Sequence, residues 1–84
     1  GDVYEGEWED DLPHGKGIMM LSDGTVYEGD YKSGLKQGNG KVTHPDGTSI
    51  EGPFENDLCN GIFKEYDANG KLVKTLTFVN GMQR

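Results

Sequence analysis

The chain is poor in the materials of an ordinary globular core. A single cysteine, Cys59, leaves no internal disulfide to form, so the default setting is intracellular, in the cytoplasm or the nucleus. Lys and Arg number eight against fifteen Asp and Glu, a net charge of −7. That balance argues against nucleic acid, because attraction to phosphate needs a local excess of bases. The longest apolar run is Ile18-Met19-Met20-Leu21, far short of the roughly 18 residues that span a bilayer as a helix. Apolar residues make up 32% of the 84, too few for two packed layers, and a chain this short buries only about 60% of its unfolded surface.

What the chain has is glycine, 14 residues of it, placed at fixed offsets. Val3-Tyr4-Glu5-Gly6-Glu7-Trp8, followed by Leu12-Pro13-His14-Gly15-Lys16-Gly17, returns as Tyr27-Glu28-Gly29-Asp30-Tyr31 with Leu35-Lys36-Gln37-Gly38-Asn39-Gly40. It returns again as Ile50-Glu51-Gly52-Pro53-Phe54 with Leu58-Cys59-Asn60-Gly61. Tyr4, Tyr27 and Ile50 stand 23 residues apart. A period of this length marks a repeat array whose units each bury their apolar face on a neighbour. The units run from about 4–26, 27–49 and 50–72, with a partial unit over 73–84, in one domain spanning 1–84.

Tyr4, Gly6 and Trp8 share one parity and Glu5, Glu7 and Glu9 the other, the period-two pattern of a strand with one buried and one wet face. Turn chemistry follows at Asp10-Asp11, Ser33-Gly34 and Asn56-Asp57. Leu12, Leu35 and Leu58 recur just after these turns, and burial over the end of the sheet is expected for them. Gly15 and Gly17, like Gly38 and Gly40, lie two apart and so predict a shared face of the returning strand. A strand keeps glycine where something bulky comes close; Trp8, Tyr31 and Phe54 are the expected bulk. Asp23-Gly24, Asp46-Gly47 and Asn69-Gly70 suit a tight two-residue hairpin turn. The fold expected is all-β: a single-layer twisted antiparallel meander of successive hairpins. Its core is two rows, Tyr4–Tyr27–Ile50 and Trp8–Tyr31–Phe54.

The pattern Y-E-G-x-[WY], then [HQ]-G-x-G, then D-G resembles the MORN repeat over nearly the whole chain. The first unit carries it on Tyr4, Gly6, Trp8, Gly15, Gly17, Asp23 and Gly24. The second carries it on Tyr27, Gly29, Tyr31, Gly38, Gly40, Asp46 and Gly47. The third departs, with Phe63 where the second glycine belongs and Pro53 inside the strand, a sign of a bulge or an edge. Asp23 to Tyr31 and Asp46 to Phe54 each span eight positions and Asn69 to Phe78 spans nine, which predicts a bulge between Leu72 and Thr75. The phrase Glu65 to Leu72, with this insertion, is similar to the MORN segment of a SET-domain histone lysine methyltransferase. Arg84 occupies the slot of His14, where the next return strand is due, so the chain reads as a piece of a longer protein, with Gly1 as a cloning remnant.

Catalytic and ligand-binding signatures fail one by one. The glycine pairs lack the third glycine and opening helix of a nucleotide fingerprint, and Gly40-Lys41 is followed by Val42, not Ser or Thr. His14, His44 and Cys59 offer no metal-ligand spacing, and the carboxylates lie on strand faces without a pocket to raise a pKa. No cofactor and no enzymatic activity are expected of this segment. The remaining reading is a protein-binding module, engaging a partner or a neighbouring domain of its own chain, with Met19 and Leu21 as candidate contacts. Membrane or phosphoinositide binding, which the resemblance also implies, would fall to Lys32, Lys36 and Lys41 against an acidic background. Open sheet edges suggest self-association.

Overall fold

Strict alternation of small or aromatic with charged residues leaves each segment only one way to separate its two faces, and each becomes a strand. The computed structural model describes residues 2–84, so the reading of Gly1 lies outside it. Nine strands occur among the described residues: β1 (Val3–Glu9), β2 (Leu12–Met20), β3 (Val26–Lys32), β4 (Leu35–Thr43), β5 (Ser49–Glu55), β6 (Leu58–Cys59), β7 (Gly61–Tyr66), β8 (Leu72–Val79) and β9 (Met82–Gln83). No helix is present among them. All pairings are antiparallel, in the order β1-β2-β3-β4-β5-β7-β8-β9, with β6 also on β5. The expected all-β meander in one open sheet is what forms.

The two kinds of hairpin end are the reverse of the sequence expectation. Two-residue turns with positive φ at both positions join the outgoing and returning strands, at Asp10-Asp11 (52° and 65°), Ser33-Gly34 (51° and 85°), Asn56-Asp57 (49° and 73°) and Asn80-Gly81 (49° and 86°). At the Asp-Gly sites the loop has three residues. The Gly24 N–H donates to the Leu21 carbonyl at 3.0 Å, and the Leu21 N–H to the Thr25 carbonyl at 2.8 Å. His44 with Gly47 and Asp67 with Gly70 repeat this geometry. Only the glycine takes a positive φ, a type I turn closed by a left-handed residue. The aspartate instead ties down the far side of the loop. Asp23 Oδ1 accepts the Thr25 N–H at 2.8 Å and Asp46 Oδ1 the Thr48 N–H at 2.9 Å. Bonds from Thr25 and Thr48 hold both carboxyls below the usual range.

Gly15, Gly38 and Gly61 are bulge residues with φ of +78°, +88° and +130°, not members of a ring-bearing face. Gly6 pairs Gly17, but Trp8 pairs Pro13, so His14, Gly15 and Lys16 lie opposite Glu7 alone. The second unit repeats this with Gln37, Gly38 and Asn39 opposite Asp30. In the third, Pro53 takes the place of Asp30 and sits beside the break between β6 and β7, as its missing N–H suggested. The fourth outgoing strand contains the expected bulge: Glu65 pairs Lys74 and Tyr66 pairs Leu72, leaving Val73 as the extra residue.

The core is a zigzag of rings along one face. Trp8, Tyr4, Tyr31, Tyr27, Phe54, Phe63 and Phe78 meet edge to face in that order, at centroid distances of 4.8, 5.3, 5.3, 5.3, 5.3 and 5.2 Å. Each such pair adds roughly 0.5–1.5 kcal/mol beyond its buried area. Tyr27, Tyr31, Phe54 and Phe63 are buried, whereas Trp8 remains 57% exposed. The rings over glycine are not the expected Trp8, Tyr31 and Phe54. They are Tyr4 over Gly6 and Gly17, Tyr27 over Gly29 and Gly40, and Phe63 over Gly52. A methyl carbon on Gly40 would stand 2.5 Å from Tyr27 Cε1, and one on Gly52 2.6 Å from Phe63 Cγ.

Burial drives the phenol of Tyr27 well above its ordinary value, and that of Tyr31 up to about 12 with the charges of Tyr4 and Asp57 adding to it. The fold favours the neutral phenols, so their contribution is complete below the free phenol value of 10.0 and is lost as pH rises toward and past 12. Alkaline titration should show cooperative loss of the sheet signal in circular dichroism together with late tyrosinate absorbance. Ionisation of Tyr27 and Tyr31 near 10 with the sheet intact would contradict this.

Candidate functional site

With the rings consumed internally, the sites open to a partner are the hairpin ends and the ring-free face. Leu12, Leu35 and Leu58 stand at the two-residue turns, paired with Glu9, Lys32 and Glu55. Their expected burial does not occur, with exposures of 45%, 39% and 46%. Each opens a return strand on the face away from the rings, where no second layer covers it. Leu12 Cδ2 does lean over the next unit's turn, 3.5 Å from where a side chain on Gly34 would begin, and Leu58 does the same at Gly81. Met82, paired with Val79, continues the row at 71% exposure.

The row is held by a unit-to-unit clamp that the sequence did not suggest. The Gly34, Asp57 and Gly81 N–H groups donate to the carbonyls of Pro13, Lys36 and Cys59 at 2.9, 3.0 and 2.7 Å. Beside them the Ser33, Asn56 and Asn80 N–H groups donate to His14 Nδ1, Gln37 Oε1 and Asn60 Oδ1 at 3.5, 3.1 and 3.3 Å. Accepting at Nδ1 places the His14 proton on Nε2, which lies 3.6 Å from Glu9 Oε2. The signal was a side-chain acceptor recurring directly before the bulge glycine in three different residue types. Replacing Gln37 by Leu should cost about 0.5–1.5 kcal/mol and speed hydrogen exchange at the Asn56 amide, while Gln37→His, copying the first unit, should preserve both. Unaltered Asn56 exchange in Gln37→Leu would remove the clamp.

Of the two proposed contacts, Met19 is half-buried against the ring cluster beside Tyr4 and Tyr27, so it belongs to the core. Leu21 is 38% exposed but spends its backbone on the Gly24 turn. The three lysines do not converge. Lys36 lies on the ring face with Nζ 5.2 Å from the Tyr27 centroid, while Lys41 pairs Glu28 and Lys32 pairs Leu35 on the opposite face. Burial pushes the Cys59 thiol up against the pull of Lys36, which keeps it protonated and inert.

On the ring-free face lie two shallow furrows. The first, about 390 Å³, is walled by Glu5, Lys16, Ile18 and Glu28 over Gly6, Gly17 and Gly29. The second, about 310 Å³, lies among Asn39, Glu51, Pro53, Ile62 and Lys64 over Gly52. Among the described residues no three of His, Cys, Asp and Glu gather closely enough to hold a metal ion.

Successive hairpins clamped through their turns, with rings pressed on paired glycines, define an open-sheet repeat protein. Residues 4–26 and 27–49, more than half of the chain, match the family model of the MORN repeat, and the chain belongs to that family. No curated protein matches the chain.

Proposed function

We propose that this chain is a non-catalytic protein-interaction module, part of a scaffold working inside the cell, in the cytoplasm or nucleus. The supporting observation is the row Leu12, Leu35, Leu58 and Met82, left exposed at unit spacing on a surface the fold does not need to cover. Leucines two strands apart lie roughly 9–10 Å from one another, near the roughly 10.5 Å between positions i and i+7 of a helix. Glu9, Lys32 and Glu55 alternate with them. An amphipathic segment from a partner or a neighbouring domain, laid across the strands, would meet apolar and charged groups in turn.

Lipid binding has weaker support, because the lysines divide between two faces and the net charge repels anionic headgroups. Service as the accessory N-terminal region of a SET-domain methyltransferase would use the same surface and rests only on the phrase Glu65 to Leu72. The test is affinity capture with Leu35→Asp/Leu58→Asp, a change at exposed positions that leaves the ring zigzag intact. Proteins retained by the wild type should be lost from the folded variant. Retention of the same set by both would exclude this surface, and phosphoinositide vesicles pelleting the chain would favour the lipid reading.

A further inference from the structure

The leucine row is framed by acid. Glu9, Lys32 and Glu55 stand directly across from Leu12, Leu35 and Leu58, and the first and third turns add Asp10, Asp11 and Asp57, all of them exposed. At these three turns five carboxylates surround one lysine, because Lys36 turns to the opposite face and lies over the Tyr27 ring. The signs are also ordered along the row, with acid beside Leu12, base beside Leu35 and acid again beside Leu58.

Chain ends do not create this surface. Leu35 and Leu58 have a hairpin on either side and still keep 39% and 46% of their area open, so a further unit would lengthen the row without covering it. A second copy is a poor occupant, since two such rows face to face would oppose five carboxylates with five. Anionic lipid meets the same repulsion.

We propose that the occupant is a basic amphipathic helix of a partner protein, an inference that rests on the interaction reading above and adds the partner's chemistry. Leu12 and Leu58 are four strand spacings apart, roughly 19 Å, close to the roughly 21 Å from i to i+14 of a helix. Apolar residues at i, i+7 and i+14 meet the three leucines in turn. Lysine or arginine near one end of the helix meets Glu9, Asp10 and Asp11, and near the other end Glu55 and Asp57, while an acid near the middle meets Lys32. The order of signs fixes register as well as affinity, because a helix displaced by one unit sets a base against Lys32.

Fluorescence anisotropy on the 84-residue chain tests this with three labelled helical peptides that share leucine at i, i+7 and i+14. One carries arginine at both ends and glutamate in the middle, one has these signs exchanged, and one has glutamine at all of these places. The arginine-ended peptide should bind, lose affinity as salt is added, and bind at least about ten-fold more tightly than its sign-exchanged counterpart. Glu9→Gln/Asp10→Asn/Glu55→Gln, which keeps every side-chain acceptor, should remove that preference, and Leu35→Ser/Leu58→Ser should abolish binding, each variant being verified as folded by circular dichroism. Equal binding of all three peptides, lost only in the leucine variant, would overturn the basic partner and leave the docking row standing. Binding of the arginine-ended peptide that survives the leucine variant would overturn both, as attraction to charge alone. No binding of that peptide to the wild type would overturn the basic helix.

Discussion

Phe63→Gly should cost about 3–5 kcal/mol, and Ile50→Tyr introduced into the same chain should return most of it. In the first two units the ring over the glycine pair comes from the outgoing strand, Tyr4 or Tyr27, and the residue facing the second glycine slot is Gly17 or Gly40. The third unit has Ile50 in the tyrosine position and Phe63 in the glycine position. Ile50 pairs Glu65 and Glu51 pairs Lys64, which puts Phe63 beside Gly52, and its ring fills the space that a tyrosine at 50 would have filled. The departure from the repeat is thus a compensated exchange, one ring per glycine pair, delivered from the opposite strand. The single change Ile50→Tyr should destabilise by roughly 1–3 kcal/mol, since two rings then compete for one space. The double variant can also make the hydrogen bond of the other units. Tyr4 and Tyr27 donate to the Glu7 and Asp30 carbonyls at 2.8 and 3.1 Å, and Pro53 stands in the matching position, so its carbonyl is the expected acceptor. Urea unfolding of the four chains gives the coupling. Purely additive costs would show that Phe63 and Ile50 do not share a site.

Gly40→Ala should be more damaging than Gly70→Ala, although only Gly70 has a positive φ. Gly40 has an ordinary strand conformation, and the added carbon would stand 2.5 Å from Tyr27 Cε1. Neither the ring, locked by Tyr31 and Phe54, nor the ladder can yield without loosening the zigzag. Overpacking of this kind costs about 1–3 kcal/mol and occasionally more. Gly70, at φ +82°, has nothing within 4 Å of an added carbon. Its substitution costs only the left-handed backbone, about 1–2 kcal/mol for alanine and less for asparagine, which adopts that region readily. For a sheet of this size, whose total stability is of the order of 4–13 kcal/mol, Gly40→Ala should lower the melting midpoint visibly more than Gly70→Ala. The reverse order would mean that the rings do not press on the backbone.

The sequence alone determined the strands, their hairpin order and a bulge between Leu72 and Thr75, which the register then placed at Val73, because period-two alternation, a 23-residue spacing and a one-residue insertion are properties of the chain as written. It also identified which residues are small and which are large. It could not assign ring to glycine, since Tyr4 and Trp8 share a parity and either could reach; only the edge-to-face sequence of rings decided for Tyr4, Tyr27 and Phe63. The same parity misled for Gly15 and Gly38, whose positive φ arises from a bulge that interrupts the alternation. Leu12, Leu35 and Leu58 looked buried because apolar residues usually are, and a one-layer sheet has nothing to bury them on that face. His14, Gln37 and Asn60 share no residue type, only an acceptor atom and a position. What unites them is a neighbouring turn about 20 residues further on, and proximity across units exists only once the hairpins stack.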